Sequence, residues 1–280
     1  MSTTMTPQVR FRTIDGLQIR SADSGASHKP AVVLTSPWPE SIYAFAAMWT
    51  PLSEHARLFA VDLPGFGASE RREDLLSPRA MGGFLAQLIA EADLGRAHIV
   101  APDVGTSAAL FAAAAHPERL ASVVVGTGGA AVPIQLGEPL ASWVLDPDLG
   151  KYRKMDPRVI VATAVDTIAG GIPGDIRADY LACYEGDRFV ESMRYARRYP
   201  GAARACRAAA ADHDAGHDHQ RPPRPRRPAR QRGVSRPAAA RQPPGDHRRR
   251  ALRLGGRAGQ VRLGRPRLDH GQPAMTHRNW

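Results

Sequence analysis

Beyond Pro200 the chain stops supplying what a hydrophobic core is made from. Residues 201–280 contain no Ile, Phe, Tyr, Lys or Glu. They hold 19 Arg and five Asp, a net charge of +14 against −3 for residues 1–200. Arginine and proline come in clusters such as Arg221-Pro222-Pro223-Arg224-Pro225-Arg226-Arg227-Pro228. A segment of this composition buries too little apolar surface to offset the entropy of ordering its backbone, so the C-terminal part is expected to be disordered. Whatever packs must pack from the first 200 residues. The whole-chain pI near 10.5 comes from the tail alone.

Those 200 residues alternate strand and helix. Val9 to Ile14 and Leu17 to Ala22 read as two strands joined at Asp15-Gly16, a hairpin dipeptide. Ala31 to Thr35 is a continuous apolar strand, followed by a helix carrying Ile42, Phe45, Met48 and Trp49. The strand Arg57 to Val61, a helix from about Ser77 to Ala92, and the strand Arg96 to Ala101 come next. A small-residue helix from Thr106 to Ala115 and the strand Leu120 to Val125 complete the series. Such alternation predicts an α/β class fold, a doubly wound and mostly parallel sheet covered on both faces.

Asp103 lies where the strand Arg96 to Ala101 turns sharply, at Asp103-Val104-Gly105, into the helix. Strand, tight turn and helix is the setting of a nucleophile elbow, which holds its central side chain up at the top of a sheet. Serine is the usual occupant. A carboxylate ionises at neutral pH without a base and attacks electrophilic carbon to form an ester, which suits an epoxide or a carbon–halogen bond better than an amide. The same residue is also a favoured helix N-cap, and Ala101 stands where an elbow normally has Gly.

Three strings lie in register over residues 8 to 126: Pro37-Trp38-Pro39-Glu40-Ser41, Asp62-Leu63-Pro64-Gly65-Phe66-Gly67-Ala68-Ser69, and the Asp103 elbow followed by His116-Pro117-Glu118-Arg119-Leu120. With these the chain resembles the α/β-hydrolase fold family, in the branch of soluble epoxide hydrolases and related Asp-nucleophile dehalogenases. The resemblance implies that Asp103 is the nucleophile and that the backbone N–H groups of Val104 and Trp38 form an oxyanion hole. Thr35-Ser36 replaces the family's His-Gly before that loop. It further implies a helical cap over residues 130–200, whose tyrosines hydrogen-bond an epoxide oxygen. Tyr152, Tyr184 and Tyr195 are the candidates, with ordinary helix packing the competing role for each. Haloalkane dehalogenases commonly have Trp directly after the nucleophile. Val104 occupies that place here, which argues against dehalogenation.

The resemblance also makes sense of the tail. Arg, Pro, Ala, Gly and His are what GC-rich coding DNA yields out of frame. Reading plausible codons for Asp212 to Pro228 one base later permits T-M-T-P-V-T-I-I-N-G-R-H-D-R-V-V-P, and Asp246 to Arg257 likewise permits T-I-D-A-G-H-F-V-W-E-D-A. The first string resembles the family's next strand with its catalytic acid, the second its last strand with the catalytic histidine. Residues 201–280 therefore read as an out-of-frame translation of an α/β-hydrolase C-terminus, broken near Tyr199-Pro200-Gly201. On that reading the His that activates water, and the acid that orients it, are absent from their family positions. His98 and His116 read as structural, and His270 and His277 as poor substitutes.

The expected organisation is residues 1–129 as the N-terminal part of the core, 130–200 as cap and 201–280 as the basic tail. The expected function is epoxide-hydrolase-like hydrolysis of a small organic substrate through an Asp103 ester. The alternative is a catalytically dead remnant whose basic tail binds polyanions weakly. No cofactor and no metal are implied, because the Asp212 to His219 cluster lies in a segment with no element to fix ligand geometry. Cys183 and Cys206 are too few for a disulfide framework. Without a secretory-type apolar run or a stretch of transmembrane length, a cytoplasmic protein with no membrane or specific nucleic-acid partner is the default expectation.

Overall fold

A computed structural model describes residues 6–25, 28–131, 133–168 and 171–201, all within one compact unit of the chain. The reading of residues 201–280 as disordered and out of frame falls, after Gly201, outside the described residues. So do the Asp212 to His219 cluster and Cys206.

Among the described residues six strands form one sheet: β1 Val9–Ile14, β2 Leu17–Asp23, β3 Ala31–Thr35, β4 Arg57–Val61, β5 Ala97–Pro102 and β6 Leu120–Gly126. Their order across the sheet is β1-β2-β4-β3-β5-β6. The first two pairings, β1 with β2 and β2 with β4, are antiparallel, and β4-β3-β5-β6 run parallel. Asp15 and Gly16 both sit at positive φ (51° and 75°), as a tight two-residue hairpin turn demands.

The parallel strands are joined by helices: α1 Ala46–Ser53 after a 3-10 turn at Ile42–Phe45, α2 Pro78–Glu91, and α3 Val104–Ala115. Ser77 starts α2 by accepting the Ala80 N–H on its hydroxyl, with Pro78 at the first helical position. Two apolar clusters cover the two faces. One is built from Leu34, Leu58 and Ala60 against Ile42, Phe45 and Trp49; the other centres on Val33, Phe59 and Ile99 against α2 and α3. Val33, Leu58, Phe59 and Ile99 are fully buried, as strands covered on both faces require.

After β6 the chain is helical: α4 Leu140–Leu145, α5 Gly150–Arg153, α6 Pro157–Val165, α7 Gly174–Cys183 and α8 Arg188–Ala196. Polar ties fasten this segment to the loops at the carboxyl ends of the strands. The Arg188 guanidinium donates to the carbonyls of Gly67 (2.6 Å) and Ser69 (2.9 Å), and Arg20 on β2 pairs with Asp179 on α7 at 2.6 Å. None of the described helices is long and apolar enough to cross a membrane.

Candidate active site

The site is built where β5 ends. Asp103 has φ 49° and ψ −116°, a conformation L-residues rarely adopt, immediately before the first residue of α3. The backbone holds it there: the Asp103 N–H donates to the Gly126 carbonyl at 2.9 Å, and its own carbonyl accepts from Thr106 at 3.0 Å. The Thr106 hydroxyl in turn bridges the carbonyls of Ala101 and Gly126, both at 2.9 Å. Gly105 allows the turn to close. A Cβ there would stand 2.1 Å from the Thr35 hydroxyl oxygen and 3.1 Å from the Ala101 Cβ. Thr35 and Ala101, which depart from the family strings, thus meet the same glycine.

Asp103 is not a side-chain N-cap, since its carboxylate bonds to no amide at the helix positions a cap would serve. Instead its Oδ2 accepts the Trp38 N–H at 2.8 Å, and the Val104 N–H also favours the ionised form. Burial outweighs both and pushes the carboxyl up to about 6. The structure thus brings Asp103, Trp38 and Val104 together as the sequence expects.

Trp38 is fixed from the helical side. Its indole N–H donates to the Ser192 hydroxyl on α8 at 2.8 Å, and its ring stacks on Phe189 (5.2 Å) and meets Trp143 edge-on (5.4 Å). The adjoining loop residues are anchored by Asp62, which is fully buried and accepts N–H groups from Ile42 (2.9 Å) and Ala68 (3.1 Å). Gly67, at φ 50°, is obligatory beside it, because a Cβ would overlap the Asp62 carboxylate.

A cavity of about 590 Å3 lies over Asp103, walled by Trp38, Trp143, Leu140, Ile160 and Val165, with Glu40 and Tyr152 also on its lining. It falls within the range of small-molecule sites, mostly apolar with few polar groups. Of the three candidate tyrosines only Tyr152 reaches it. The Tyr184 hydroxyl is used internally, accepting from the Gly67 N–H (3.1 Å) and donating to the Glu40 carbonyl (3.3 Å). The Tyr195 hydroxyl donates to the Val104 carbonyl at 3.1 Å, bracing the turn that follows Asp103. Two residues that sequence reasoning did not assign also belong here. Glu40 is held above the ordinary carboxyl range by burial and by the charge of Asp103, opposed by a 3.4 Å hydrogen bond from Tyr180. Tyr199 is buried close to Asp103, with no hydrogen-bond partner for its hydroxyl. Glu40 stood in a quoted string; Tyr199 was marked only as the place where the composition breaks, with no role at the site. No histidine lines the cavity among the described residues. His98 bonds instead to Ser122 at 2.7 Å between strands, and His116 closes α3.

The geometry can be set beside known proteins. A family model described as the alpha/beta hydrolase fold matches residues 30–148. The chain carries the α/β-hydrolase fold. Two curated relatives share part of its length. A dihydrolipoyllysine-residue acetyltransferase component of the acetoin cleaving system of Cupriavidus necator is 29% identical over 116 residues, 41% of this chain and 31% of that protein. A 2-hydroxy-6-oxononadienedioate/2-hydroxy-6-oxononatrienedioate hydrolase of Burkholderia vietnamiensis is 29% identical over 160 residues, 50% of this chain and 52% of that protein. The matched stretches thus span about a third to a half of those relatives. Among solved structures, the epoxide hydrolase CorEH superposes with a TM-score of 0.60 at 17% identity, covering 73% of this chain and 77% of that one. At that identity the likeness is one of α/β-hydrolase fold.

Proposed function

We propose that the chain is an epoxide-hydrolase-like enzyme in which Asp103 attacks an electrophilic carbon of a small organic substrate and is transiently esterified. The observation that carries this reading is the Trp38 N–H bonded to one oxygen of a positive-φ, buried carboxylate at the base of the 590 Å3 cavity. On this reading the oxygen that Trp38 holds stays in place while the other attacks. A buried carboxyl group near 6 is ionised at neutral pH yet little hydrated, which favours nucleophilic attack. As the new C–O bond forms, the substrate's C–O bond breaks and its electron pair passes to the epoxide oxygen. In the second half water adds to the ester carbonyl, and the Trp38 and Val104 N–H groups stabilise the oxyanion. Tyr152 is the tyrosine we assign to polar contact with substrate. Residues 130–200 act as the cap over the core of residues 1–129, and no cofactor or nucleic acid takes part.

For the second half we read the chain as translated as lacking the family's base, and no histidine lines the cavity among the described residues. We read residues 201–280 as the out-of-frame remainder of the hydrolase, and a feature of β6 supports this. Val124 and Val125 are 58% and 41% exposed on a parallel strand whose neighbour β5 is flanked on both sides. Parallel strands are normally covered on both faces, so β6 is shaped for neighbours that the described residues do not include.

The expected result with a small epoxide is therefore one adduct per chain without turnover. Intact-mass and peptide mass spectrometry should find it on the peptide containing Asp103, and Asp103→Ala should show none. Full turnover by the untouched 280-residue chain would overturn the assignment of the missing base.

A further inference from the structure

Arg20 is a charged residue in the middle of β2, yet only 6% of it is exposed. The register explains its first partner. Ser21 lies opposite Val61 on β4, so Arg20 falls beside Asp62, whose N–H donates to the Arg20 carbonyl at 3.1 Å. The side chains meet as well, with Nη1 3.5 Å from the Asp62 carboxylate. The same guanidinium reaches α7. Nη2 donates to Asp179 Oδ1 at 2.6 Å and Nη1 to Oδ2 at 3.1 Å, a two-pronged pair. One turn further along α7 the Cys183 sulfur accepts from Nη1 at 3.2 Å, and burial pushes that thiol up to about 12, so it adds no charge. Both carboxylates that Arg20 holds also grip the loop behind Trp38, at successive residues. Asp179 Oδ2 accepts the Ser41 hydroxyl at 2.6 Å, and Asp62 Oδ1 accepts the Ile42 N–H at 2.9 Å. The residue before them is held from α7 too, by the hydroxyls of Tyr180 on the Glu40 carboxylate and of Tyr184 on the Glu40 carbonyl. Arg20 itself is not among the residues that line the cavity over Asp103.

We propose that Arg20 is a positioning residue for the Asp103 site: it clamps Asp62 and Asp179 together, and the Trp38 N–H is held on the Asp103 carboxylate only while α7 is seated on that clamp. A guanidinium fork suits the task, because a single ammonium cannot present paired donors to one carboxylate and a further donor to a second. With the clamp open, Ser41 loses the carboxylate that fixes its hydroxyl and Glu40 loses its two ties to α7. The Trp38 N–H, a few residues upstream on the same loop, then leaves the Asp103 oxygen it now meets at 2.8 Å. A carboxylate that is no longer held in one orientation attacks more slowly even when fully ionised. The clamp rests on this geometry alone; its effect on ester formation rests also on the nucleophile reading of Asp103.

The test uses the full chain, labelled with 15N, and reads the Trp38 amide by NMR. Its proton shift should follow the ionisation of Asp103. Glu40 and Glu138 line the same cavity, so Asp103→Asn, which should abolish that dependence, identifies the carboxyl the amide follows. Asp179→Ala should flatten the titration and speed hydrogen exchange of the Trp38 amide about ten-fold or more, the scale of one hydrogen bond to a charged group. Arg20→Met should do the same if it folds, and the double variant should add nothing to it. Arg57→Gln, which loosens the other end of β4, should leave the titration as it is. With a small epoxide at pH 8, Asp179→Ala should lower the maximal rate of ester formation about ten-fold or more, with the half-saturating epoxide concentration little changed. A Trp38 amide that keeps its titration and its protection in Asp179→Ala overturns the proposal. So does an ester rate that falls equally in Arg57→Gln, since the loss would then follow stability alone. A Trp38 amide that behaves as expected in chains that form no ester upholds the clamp and sinks the nucleophile reading instead.

Discussion

The two edges of the sheet are built to opposite rules. At β1 the outward positions include Arg10, Arg12 and Thr13, and Arg12 both pairs with Asp23 at 3.1 Å and lies over the Phe59 ring at 5.4 Å. Charge on an edge strand is how natural sheets refuse further partners. At β6 the corresponding run is Val123-Val124-Val125, with the last two exposed. In register, Val124 lies opposite Val100, Val100 opposite Leu34 and Leu34 opposite Ala60, so Val124 belongs to the face that Trp49 and Phe45 cover further in. Among the described residues one edge carries charge and the other carries exposed valines. The frame break we propose after the helical segment would account for the difference, because it would leave every strand up to β6 intact and remove what should follow.

The test with the largest expected effect is on the β6 edge. A single-base correction near codon 200 should turn a chain with negligible turnover into an epoxide-hydrolysing one, a gain of two to four orders of magnitude or more from the base alone. Asp103→Ala in the repaired protein should abolish both turnover and the trapped ester. A repaired chain that gains no regular structure by circular dichroism and no activity would leave β6 without its explanation.

A second test sets the edges against each other in both backgrounds. In the present chain Val124→Asp falls on an exposed position and should change stability by no more than about 0.5 kcal/mol. In the repaired chain the same change buries a charge against the new neighbours, and a loss of about 3 kcal/mol or more is expected in denaturant titrations. Phe11→Asp on β1, exposed in both, should be mild in both. Equal costs for Val124→Asp in the two backgrounds would mean that β6 gains no cover.

Much of this frame could be read from sequence because its signals are local. The six strands follow from apolar runs bounded by turn residues, and their limits agree with the structure to within a residue or so. The Asp103 elbow was legible for the same reason, as was the Trp38 loop, since strand, turn and helix announce themselves over some fifteen residues. Side-chain destinations were not. Tyr152, Tyr184, Tyr195 and Tyr199 look alike in a helical string, yet one lines the larger cavity, two spend their hydroxyls on backbone groups and one is left unpartnered. Where a phenol ends is decided by packing between distant segments, such as Tyr199 against Gly129. The closeness of Thr35 to Gly105, which stand 70 residues apart, is another such contact.

Away from both edges, the interior strand β5 carries Asp103 at a cost that pH should reveal. Its carboxyl is raised from 3.8 to about 6, so the folded state holds a proton more tightly than the unfolded one. Stability owed to this group is present below about pH 4 and is lost as pH rises through 6, by an amount on the order of 2–3 kcal/mol. Asp103→Asn should therefore raise stability at pH 7 and leave it nearly unchanged at pH 3.5. Ester formation should rise with pH, with its midpoint near 6, because only the carboxylate attacks. A stability difference that is the same at both pH values would assign the gain to relief of packing rather than to the charge.

The smallest effect belongs to the β1 edge. Arg12 shares Asp23 with Arg57, whose guanidinium bonds the same carboxylate at 2.8 and 3.1 Å and whose ion pair is the better buried of the two. Together they hold the Asp23 carboxyl below its usual range against the opposing effect of burial. Removing Arg12 alone leaves Asp23 paired, so Arg12→Gln should cost less than about 1 kcal/mol, as partly exposed ion pairs do. Arg57→Gln should cost more, since it also loses the bonds to the carbonyls of Ala92 and Asp93 that tie β4 to the end of α2. If Arg12→Gln instead produced soluble oligomers at unchanged stability, measured by light scattering beside a denaturant titration, the charge on β1 would be acting to keep that edge from pairing.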